Sequence, residues 1–162
     1  MRSFNQVWEN KIYSKGRQTN NYPYDLVVSL IAKNFFSIPI NKRKKIKMLD
    51  LGCGTGNHSR FLAENGFDVY GIDGSGTAIR LCRKKFKSAG LRGNFIQGDF
   101  FNLPYAGDFF DCVLDSESLY SNKFAIIKIA LEQVYRKLKT GGMFICFMFN
   151  NYHPDIKLGK KV

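Results

Sequence analysis

The chain has 162 residues, of which 44% are hydrophobic, so its length fits one domain with a sizeable core. No stretch approaches the roughly 20 apolar residues that cross a bilayer, and the N-terminal MRSFNQVWEN lacks the apolar segment of a secretory signal. The four cysteines, at positions 53, 82, 112 and 146, include no C-x-x-C pair, which argues against zinc sites and disulfide frameworks. We therefore expect a cytoplasmic protein with reduced thiols and no metal centre.

The formal net charge is +12, and positive side chains cluster in NKRKKIK (41–47), RKKFK (83–87) and KLGKK (157–161). Such clusters attract polyanions without specificity. They are also typical of solvated helix ends and loops, which is the interpretation we favour. Nucleic acid therefore stays an open but unfavoured partner.

Residues 1–45 are expected to form a helical, partly aromatic lead-in. The segment NYPYDLVVSLIAKNFF carries apolar residues at helical spacing, namely Leu26, Val27, Leu30 and Ile31. Pro23 stands near its start, where the missing N–H of proline costs little. The sequence therefore predicts a helix ahead of the main domain.

From residue 46 onward, short apolar runs alternate with helical segments. Four runs predict buried strands: IKMLDLG, FDVYGID, GNFIQGD and FFDCVLD. Between them, HSRFLAEN predicts a helix that ends at Gly66. SGTAIRLCRKKFKSAG predicts a second helix, with Ser75 as its N-cap and Gly90 as its end.

The last elements are a helix and a fifth strand. In NKFAIIKIALEQVYRKLK, an apolar stripe runs through Phe124, Ile127, Leu131, Val134 and Leu138. After the turn TGG, MFICFMF predicts the fifth strand. Strands that alternate with helices indicate an α/β protein with a parallel sheet and right-handed crossovers.

The first strand runs into a glycine loop in MLDLGCGTGN (48–57). In open α/β sheets, ligands bind beyond the carboxyl ends of the strands, so a nucleotide-like ligand is expected here. Gly52 and Gly54 fit a dinucleotide fingerprint, but its third glycine would stand at position 57, which is Asn57. The third glycine is Gly56 instead, and no Walker lysine follows, so neither phosphate-binding motif fits.

Acidic residues close the neighbouring strands. Asp50 precedes the loop, and Asp73 ends the second strand, where a carboxylate can accept both ribose hydroxyl protons. Asp99 ends the third strand, where it could accept from an adenine amino group while Phe100 flanks the ring. A strand-end aspartate can also simply cap a turn. Carboxylates without a fixed cation would repel pyrophosphate and suit a cofactor with an ammonium and a sulfonium, namely S-adenosylmethionine.

The chain resembles the class I S-adenosylmethionine-dependent methyltransferases over residues 46–150. The segments that carry the resemblance are MLDLGCGTGNHSRFLAENGFDVYGID, GDFFNLPYAGDFFDCVLDSESLY and LKTGGMFICFMF. The resemblance implies a Rossmann-like three-layer α/β/α fold with strand order 3-2-1-4-5. It also implies methyl transfer, with S-adenosylhomocysteine as the product.

The resemblance also assigns roles to residues. The loop of Gly52, Cys53, Gly54 and Gly56 would approach the methionine portion, although packing alone explains Cys53. Asp50 would help to hold the loop and the amino group, Asp73 the ribose, and Asp99 with Phe100 the adenine. Gly74 replaces a common apolar residue and implies weaker adenine packing. The lead-in resembles cofactor lids, which makes Tyr13 and Tyr22 lid candidates, although core packing is the favoured role of both.

The catalytic residues are less well specified. The end of the fourth strand, Asp115-Ser116, would border the methyl-transfer site, so Asp115 could orient the acceptor or bind the cofactor by holding its amino group. His153 is a candidate base in the loop after the fifth strand, although such a histidine is commonly structural, and His58 is interpreted as a surface or capping residue. The base-modification motifs of DNA methyltransferases are absent, which leaves O-, N- or C-methylation of a small molecule, a sugar or a carboxylate.

The family usually has two further strands after the fifth, as an antiparallel hairpin, and this chain continues only with a basic tail at 151–162. The fifth strand would then be an apolar edge, available to a partner or a second copy. The leading hypothesis is a small-molecule methyltransferase. The alternatives are a cofactor-binding fragment or subunit without turnover and an RNA-directed enzyme; a nicotinamide enzyme fits least.

Overall fold

A parallel five-stranded sheet forms the centre of the fold. The computed structural model describes residues 6–148. The strands are β1 (Lys47–Leu51), β2 (Asp68–Asp73), β3 (Asn94–Gln97), β4 (Phe110–Ser116) and β5 (Leu138–Phe147). The α-helices are α1 (Asp25–Phe35), α2 (Ile40–Arg43), α3 (Asn57–Glu64), α4 (Gly76–Ser88) and α5 (Phe124–Lys137), and short helical turns of other types lie at Trp8–Ile12, Tyr13–Lys15 and Leu119–Ser121. The strand order is β3-β2-β1-β4-β5, which confirms the predicted Rossmann-like fold class.

Both faces of the sheet are covered, because neighbouring residues of each strand point to opposite sides. On one face, Met48 packs in a core with residues of α1, α3 and α4, among them Ile31 and Leu62. On the other face, Leu49 packs in a core with residues of α5, including Val134. This burial on two sides explains why consecutive residues of the central strand, such as Met48 and Leu49, are both apolar.

The predicted stripe of α5 is wrong in part. Ile126, Ala130 and Val134 are buried, whereas Phe124 and Leu131 are exposed. Apolar residues occupy much of the surface of this helix, so the sequence allows two different apolar stripes. The stripe that faces the sheet runs in four-residue steps from Ile126 through Ala130 to Val134. No helix within residues 6–148 combines the length and apolarity needed to cross a bilayer.

The fifth strand also begins earlier than predicted. β5 starts at Leu138, directly after α5, and Leu138 pairs with Phe110 of β4. The pairing then shifts, so that Cys112 opposes Met143, and the glycines of TGG lie inside this irregular stretch. Within the described residues β5 is the outer strand on its side of the sheet, and a partner for that edge remains a prediction.

The lead-in forms α1 as predicted, although Leu26 is exposed while Val27, Ile31 and Phe35 are buried. Besides the packing of α1 in the core, the lead-in has a polar link through Arg43 in α2, which is only 7% exposed. The Arg43 guanidinium donates to the carbonyls of Ile38 (2.8 Å), Phe36 (3.1 Å) and Asn65 (3.3 Å). It also lies 4.2 Å from the centre of the Phe36 ring, so one side chain joins the lead-in to the end of α3.

Replacing this arginine should destabilise the fold. We expect Arg43→Ala to lower the free energy of unfolding by about 3 kcal/mol, because three carbonyls lose a charged donor. Arg43→Lys should recover only part of the loss, since an ammonium cannot reproduce the planar guanidinium contacts. Urea denaturation measures both values. The matched control is Lys44→Ala at the exposed neighbouring position, and equal midpoints for Arg43→Ala and this control would contradict the role of Arg43.

Candidate functional site

The glycine loop follows β1 and depends on backbone conformations that other residues rarely adopt. Gly52 has φ +75° and Gly54 has φ +52°, both in the left-handed region. A Cβ at Gly52 would overlap the Ser118 side chain, and a Cβ at Gly54 would lie 2.8 Å from the Tyr13 hydroxyl. Gly56 is the N-cap of α3. The loop therefore packs too closely against its neighbours for larger residues.

Asp50 holds the start of α3. Its carboxylate is 1% exposed and accepts from the backbone N–H of Ser59 at 3.0 Å and the Ser59 hydroxyl at 2.6 Å. Burial raises the pKa of Asp50 to about 6, although the Ser59 hydrogen bonds act in the opposite direction. Asp50 thus fixes the loop by accepting hydrogen bonds from Ser59 of α3, the helix that follows the loop.

Asp73 joins the end of β2 to the glycine loop. Its Oδ2 accepts from the Gly54 N–H at 2.9 Å, and its Oδ1 accepts from the Ser75 N–H at 2.8 Å. Burial raises the pKa of Asp73 to about 6. Ser75 caps α4, as predicted, by accepting from the Ala78 N–H at 2.9 Å. One carboxylate therefore positions both the loop and the beginning of α4.

A cavity of about 270 Å³ opens at the carboxyl ends of the strands. Six of the predicted cofactor residues line it: Gly52, Cys53, Gly54, Asp73, Gly74 and Phe100. Four others, Asp50, Gly56, Asp99 and Asp115, are not among its lining residues. The structure thus gathers the loop, the end of β2 and Phe100 around one space.

Asp99 and Asp115 bind backbone groups and do not line the cavity. Asp99 accepts from the Phe101 N–H at 3.1 Å. Asp115 is fully buried; its Oδ1 accepts from the backbone N–H and the hydroxyl of Ser118, and its Oδ2 accepts from the Cys146 thiol at 3.2 Å. Burial raises the pKa of Asp115. This carboxylate shapes the turn after β4, and its neighbours Ser116 and Glu117 line the cavity in its place.

Cys53 is buried beside Cys82, and both thiols are free. The Cys82 hydrogen bond and burial raise the pKa of the Cys53 thiol. The thiol is therefore protonated and unreactive, which fits a space-filling role in the wall.

The lead-in covers the glycine loop. Tyr13 lines the cavity and its hydroxyl lies over Gly54, whereas Tyr22 is 81% exposed and is not a lining residue. Tyr22 is therefore neither a lid contact nor a core residue in this structure. Trp8 and Tyr24 line the cavity instead, although the prediction named neither of them.

Two polar contacts tie the lead-in to α4. The Glu9 carboxylate accepts from the hydroxyls of Ser75 and Thr77, each at 2.5 Å, and these bonds, Ser75 first, lower the pKa of Glu9. Further along, the Lys85 ammonium donates to the backbone carbonyl of Asn20 at 2.6 Å and to the Thr55 hydroxyl at 3.0 Å. The lead-in is thus fastened on both sides of Tyr13.

His58 was interpreted as a surface or capping residue, and this is wrong. Its ring lines the cavity, and its Nδ1 is buried without a hydrogen-bond partner. Burial lowers the pKa of His58 to about 4. The only sequence signal was its place directly after the glycine loop, where the chain enters α3 at the ligand edge of the sheet. The other candidate histidine, His153, lies outside the described residues.

The charges around the cavity are negative. Among the described lining residues, the charged side chains are Asp73 and Glu117. Glu117 has φ +65°, an uncommon conformation for a residue with a side chain, which turns the chain after β4. Within residues 6–148, no group of His, Cys, Asp and Glu side chains could hold a metal ion. The site is therefore shaped for an uncharged or positively charged ligand rather than for phosphates.

Comparison with known proteins identifies the family. A family model described as a methyltransferase domain matches residues 42–157, well over half of the chain. The chain belongs to the class I S-adenosylmethionine-dependent methyltransferases. This confirms the resemblance on which the predicted strand order and cofactor roles were based.

Two relatives of this chain are named as methyltransferases of small-molecule metabolism. It is 35% identical to a fatty-acid O-methyltransferase of Mycolicibacterium smegmatis, over 61% of the chain and 35% of that protein. It is 33% identical to the ubiquinone/menaquinone biosynthesis C-methyltransferase UbiE of Proteus mirabilis, over 67% of the chain and 44% of that protein. The crystal structure of the PH0226 protein of Pyrococcus horikoshii superimposes with a TM-score of 0.61 at 31% identity, covering 78% of this chain and 56% of that one. The chain thus spans about half, or less, of these relatives.

Two glycine substitutions separate backbone strain from crowding in the methyltransferase loop. Gly52 and Gly141 have nearly the same φ, +75° and +76°, but a Cβ at Gly141 would meet nothing within 4 Å. Gly141→Ala should therefore lower the free energy of unfolding by only about 1–2 kcal/mol, the cost of the left-handed conformation. Gly52→Ala should cost about 2–5 kcal/mol, because the overlap with Ser118 is added. Thermal and urea unfolding of both variants measure the difference, and equal losses would contradict this account of the loop.

Proposed function

We propose that this chain binds S-adenosylmethionine at the glycine loop and transfers its methyl group to a small organic acceptor. The observation that carries the proposal is the Asp73 carboxylate, which is bonded to the Gly54 N–H and lines the same cavity as Gly74 and Phe100. Family membership supplies the reaction class, and this geometry supplies a site for an adenosyl group.

The described residues fit the parts of the cofactor. Each Asp73 oxygen accepts one backbone N–H and keeps a lone pair, so the carboxylate can still receive hydroxyl protons of a ribose. Phe100 supplies an aromatic ring for a base at the neighbouring wall. The Ser116 hydroxyl is buried without a partner and lines the cavity, so a polar ligand group would satisfy it.

The electrostatics agree with a cationic cofactor. When bound, S-adenosylmethionine supplies an electrophilic methyl carbon on a positively charged sulfur. Asp73 and Glu117 place carboxylates in the cavity wall, which attract such a ligand and disfavour a pyrophosphate. The lead-in, fastened through Glu9 and Lys85, places the Tyr13 hydroxyl over Gly54 of the loop.

The acceptor is proposed as a small organic molecule. The relatives named above are, by their names, a fatty-acid O-methyltransferase and a C-methyltransferase of ubiquinone/menaquinone biosynthesis. Rings of Trp8, Tyr24 and Tyr120 line the cavity and can contact an apolar acceptor body. Nucleic acid is not favoured, because the basic clusters at 41–47 and 83–87 contribute no residue to the cavity lining.

Removing the Asp73 charge should weaken cofactor binding. We expect Asp73→Asn to raise the Kd of S-adenosylhomocysteine at least tenfold, because the ribose loses an ionised acceptor. Isothermal titration calorimetry measures the Kd, and thermal unfolding shows whether the variant is folded. Asp108→Asn is the matched control, since Asp108 is exposed and asparagine tolerates its φ of +51°.

An analogue separates ribose recognition from general damage to the loop. The wild-type chain should prefer S-adenosylhomocysteine to its 2′-deoxy form, and Asp73→Asn should lose most of this preference. An unchanged preference in the variant would show that Asp73 does not bind the ribose. Binding of NAD in place of S-adenosylhomocysteine would overturn the cofactor assignment.

Cofactor binding should also depend on pH. The pKa of Asp73 is about 6, and its ionised form is the better hydroxyl acceptor. Above pH 6 the Kd of S-adenosylhomocysteine should be constant, and below it the Kd should rise by up to about tenfold for each pH unit. Calorimetry from pH 7.5 to pH 5 measures this. Asp73→Asn should flatten the profile, and a constant wild-type Kd would contradict the assignment.

A further inference from the structure

Three residues from separate parts of the chain meet in the lining of the cavity. Tyr24 comes from the lead-in, His58 from the first turn of α3 and Glu117 from the turn after β4, and all three line the cavity. The Tyr24 and His58 rings meet edge to face, with centroids 5.2 Å apart. Burial and the nearby Glu117 carboxylate raise the pKa of the Tyr24 hydroxyl, which places Tyr24 and Glu117 together.

Within the described residues, this group contains one polar atom without a partner and one residue with an uncommon backbone conformation. The imidazole Nδ1 of His58 is buried and has no hydrogen-bond partner, although buried polar groups in native proteins are nearly always paired. Glu117 is held in a left-handed conformation, φ +65°, which costs free energy and is common at functional sites. Neither feature is needed to hold the glycine loop, whose ties run through Asp50 and Asp73.

The charge state of His58 follows from its surroundings. Within residues 6–148, the titratable groups that face it are Tyr24, through the ring contact, and Glu117, through its charge. Burial, which acts against the Glu117 charge, lowers the pKa of His58 to about 4, so the ring is neutral at physiological pH. A neutral imidazole can accept a hydrogen bond from an uncharged hydroxyl. It also adds no second positive charge beside a sulfonium.

We propose that His58 is the catalytic residue that receives the proton of a hydroxyl acceptor, and that Glu117 is its positioning residue. This inference rests on the proposed function. It deepens that function by naming the acceptor class: a neutral hydroxyl compound with a flat, apolar body, of which a phenol is the simplest example. The aromatic side chains of Trp8, Tyr24 and Tyr120 supply the walls for such a body.

The reaction balances with the groups present. The acceptor O–H bond breaks and its proton passes to His58, while the acceptor oxygen forms a bond to the methyl carbon. The carbon–sulfur bond breaks, its electron pair stays on sulfur, and the products are a methyl ether and S-adenosylhomocysteine. The Glu117 carboxylate stabilises the imidazolium that results, because an opposite charge nearby favours the charged form.

The test uses phenol and anisole, which differ in the hydroxyl proton that His58 would receive. With the chain saturated by S-adenosylhomocysteine, we expect phenol to bind at least tenfold more tightly than anisole at pH 7. His58→Phe keeps a ring and removes both nitrogens, so the preference should disappear. His58→Gln keeps a polar group that can accept a hydrogen bond but cannot take the proton. It should therefore retain phenol binding within about threefold, while the transfer from S-adenosylmethionine to phenol falls at least about 100-fold.

Glu117→Gln tests the positioning role. Removing the carboxylate lowers the pKa of His58, so the acidic limb of the pH profile of kcat/KM for phenol, measured with S-adenosylmethionine kept saturating at every pH, should move to lower pH. A merely structural contact would leave the position of this limb unchanged. Tyr135→Ala is the control for all assays, since Tyr135 is 83% exposed on α5. S-adenosylhomocysteine binding should be unchanged in this control and in both His58 variants.

The outcomes separate the two proposals. Absence of S-adenosylhomocysteine binding by the wild-type chain overturns the proposed function and this inference with it. If S-adenosylhomocysteine binds but phenol and anisole bind equally, or neither binds, the acceptor assignment alone is wrong. The same holds if His58→Phe keeps the preference for phenol. Unchanged transfer in His58→Gln would show that His58 orients the acceptor without receiving its proton, which also overturns the proposal.

Discussion

The contact between Asp73 and the glycine loop is the interaction on which the site depends. A single carboxylate at the end of β2 receives the N–H of Gly54 and the N–H of Ser75, and so fixes the loop and the start of α4 relative to the sheet. Two charge-assisted hydrogen bonds also offset part of the cost of burying the charge. The lead-in then contacts α4 through Glu9, so the position of the lead-in over the cavity also depends on the contact that Asp73 makes with the start of α4.

The order of the strands and the place of the glycine loop could be predicted from the sequence, because both follow from local patterns. Apolar runs that end at Gly52, Asp73 and Asp115 mark the carboxyl ends of β1, β2 and β4, and the parallel topology brings those ends together. Ser75 was recognised as a cap for the same reason, since its hydrogen bond to Ala78 is formed within four residues. Local signals of this kind do not depend on distant packing.

The residues that were missed or misplaced depend on distant packing instead. His58 appears as an ordinary polar residue at the start of a helix until Tyr24, 34 positions earlier in the numbering, is placed against its ring. Tyr22 and Tyr24 are indistinguishable by composition, yet only Tyr24 lines the cavity. The predicted apolar stripe of α5 was partly wrong for the same reason. Phe124 and Ile126 are both apolar, and packing against the sheet determines which of them is buried. Asp115 shows the same limit, since it points to the Ser118 turn rather than to the cavity.

The buried carboxylates explain why a cationic ligand would complete this fold. Asp50, Asp73 and Asp115 are nearly inaccessible, and burial raises the pKa of each, which means that their ionised forms cost free energy in the folded chain. Backbone N–H groups and hydroxyls satisfy their oxygens but provide no positive charge. A ligand with a sulfonium and an ammonium near these groups would lower their pKa values and recover part of that cost. The unpaired Nδ1 of His58 is not satisfied by any of these contacts, and in our proposal the acceptor hydroxyl would donate to it.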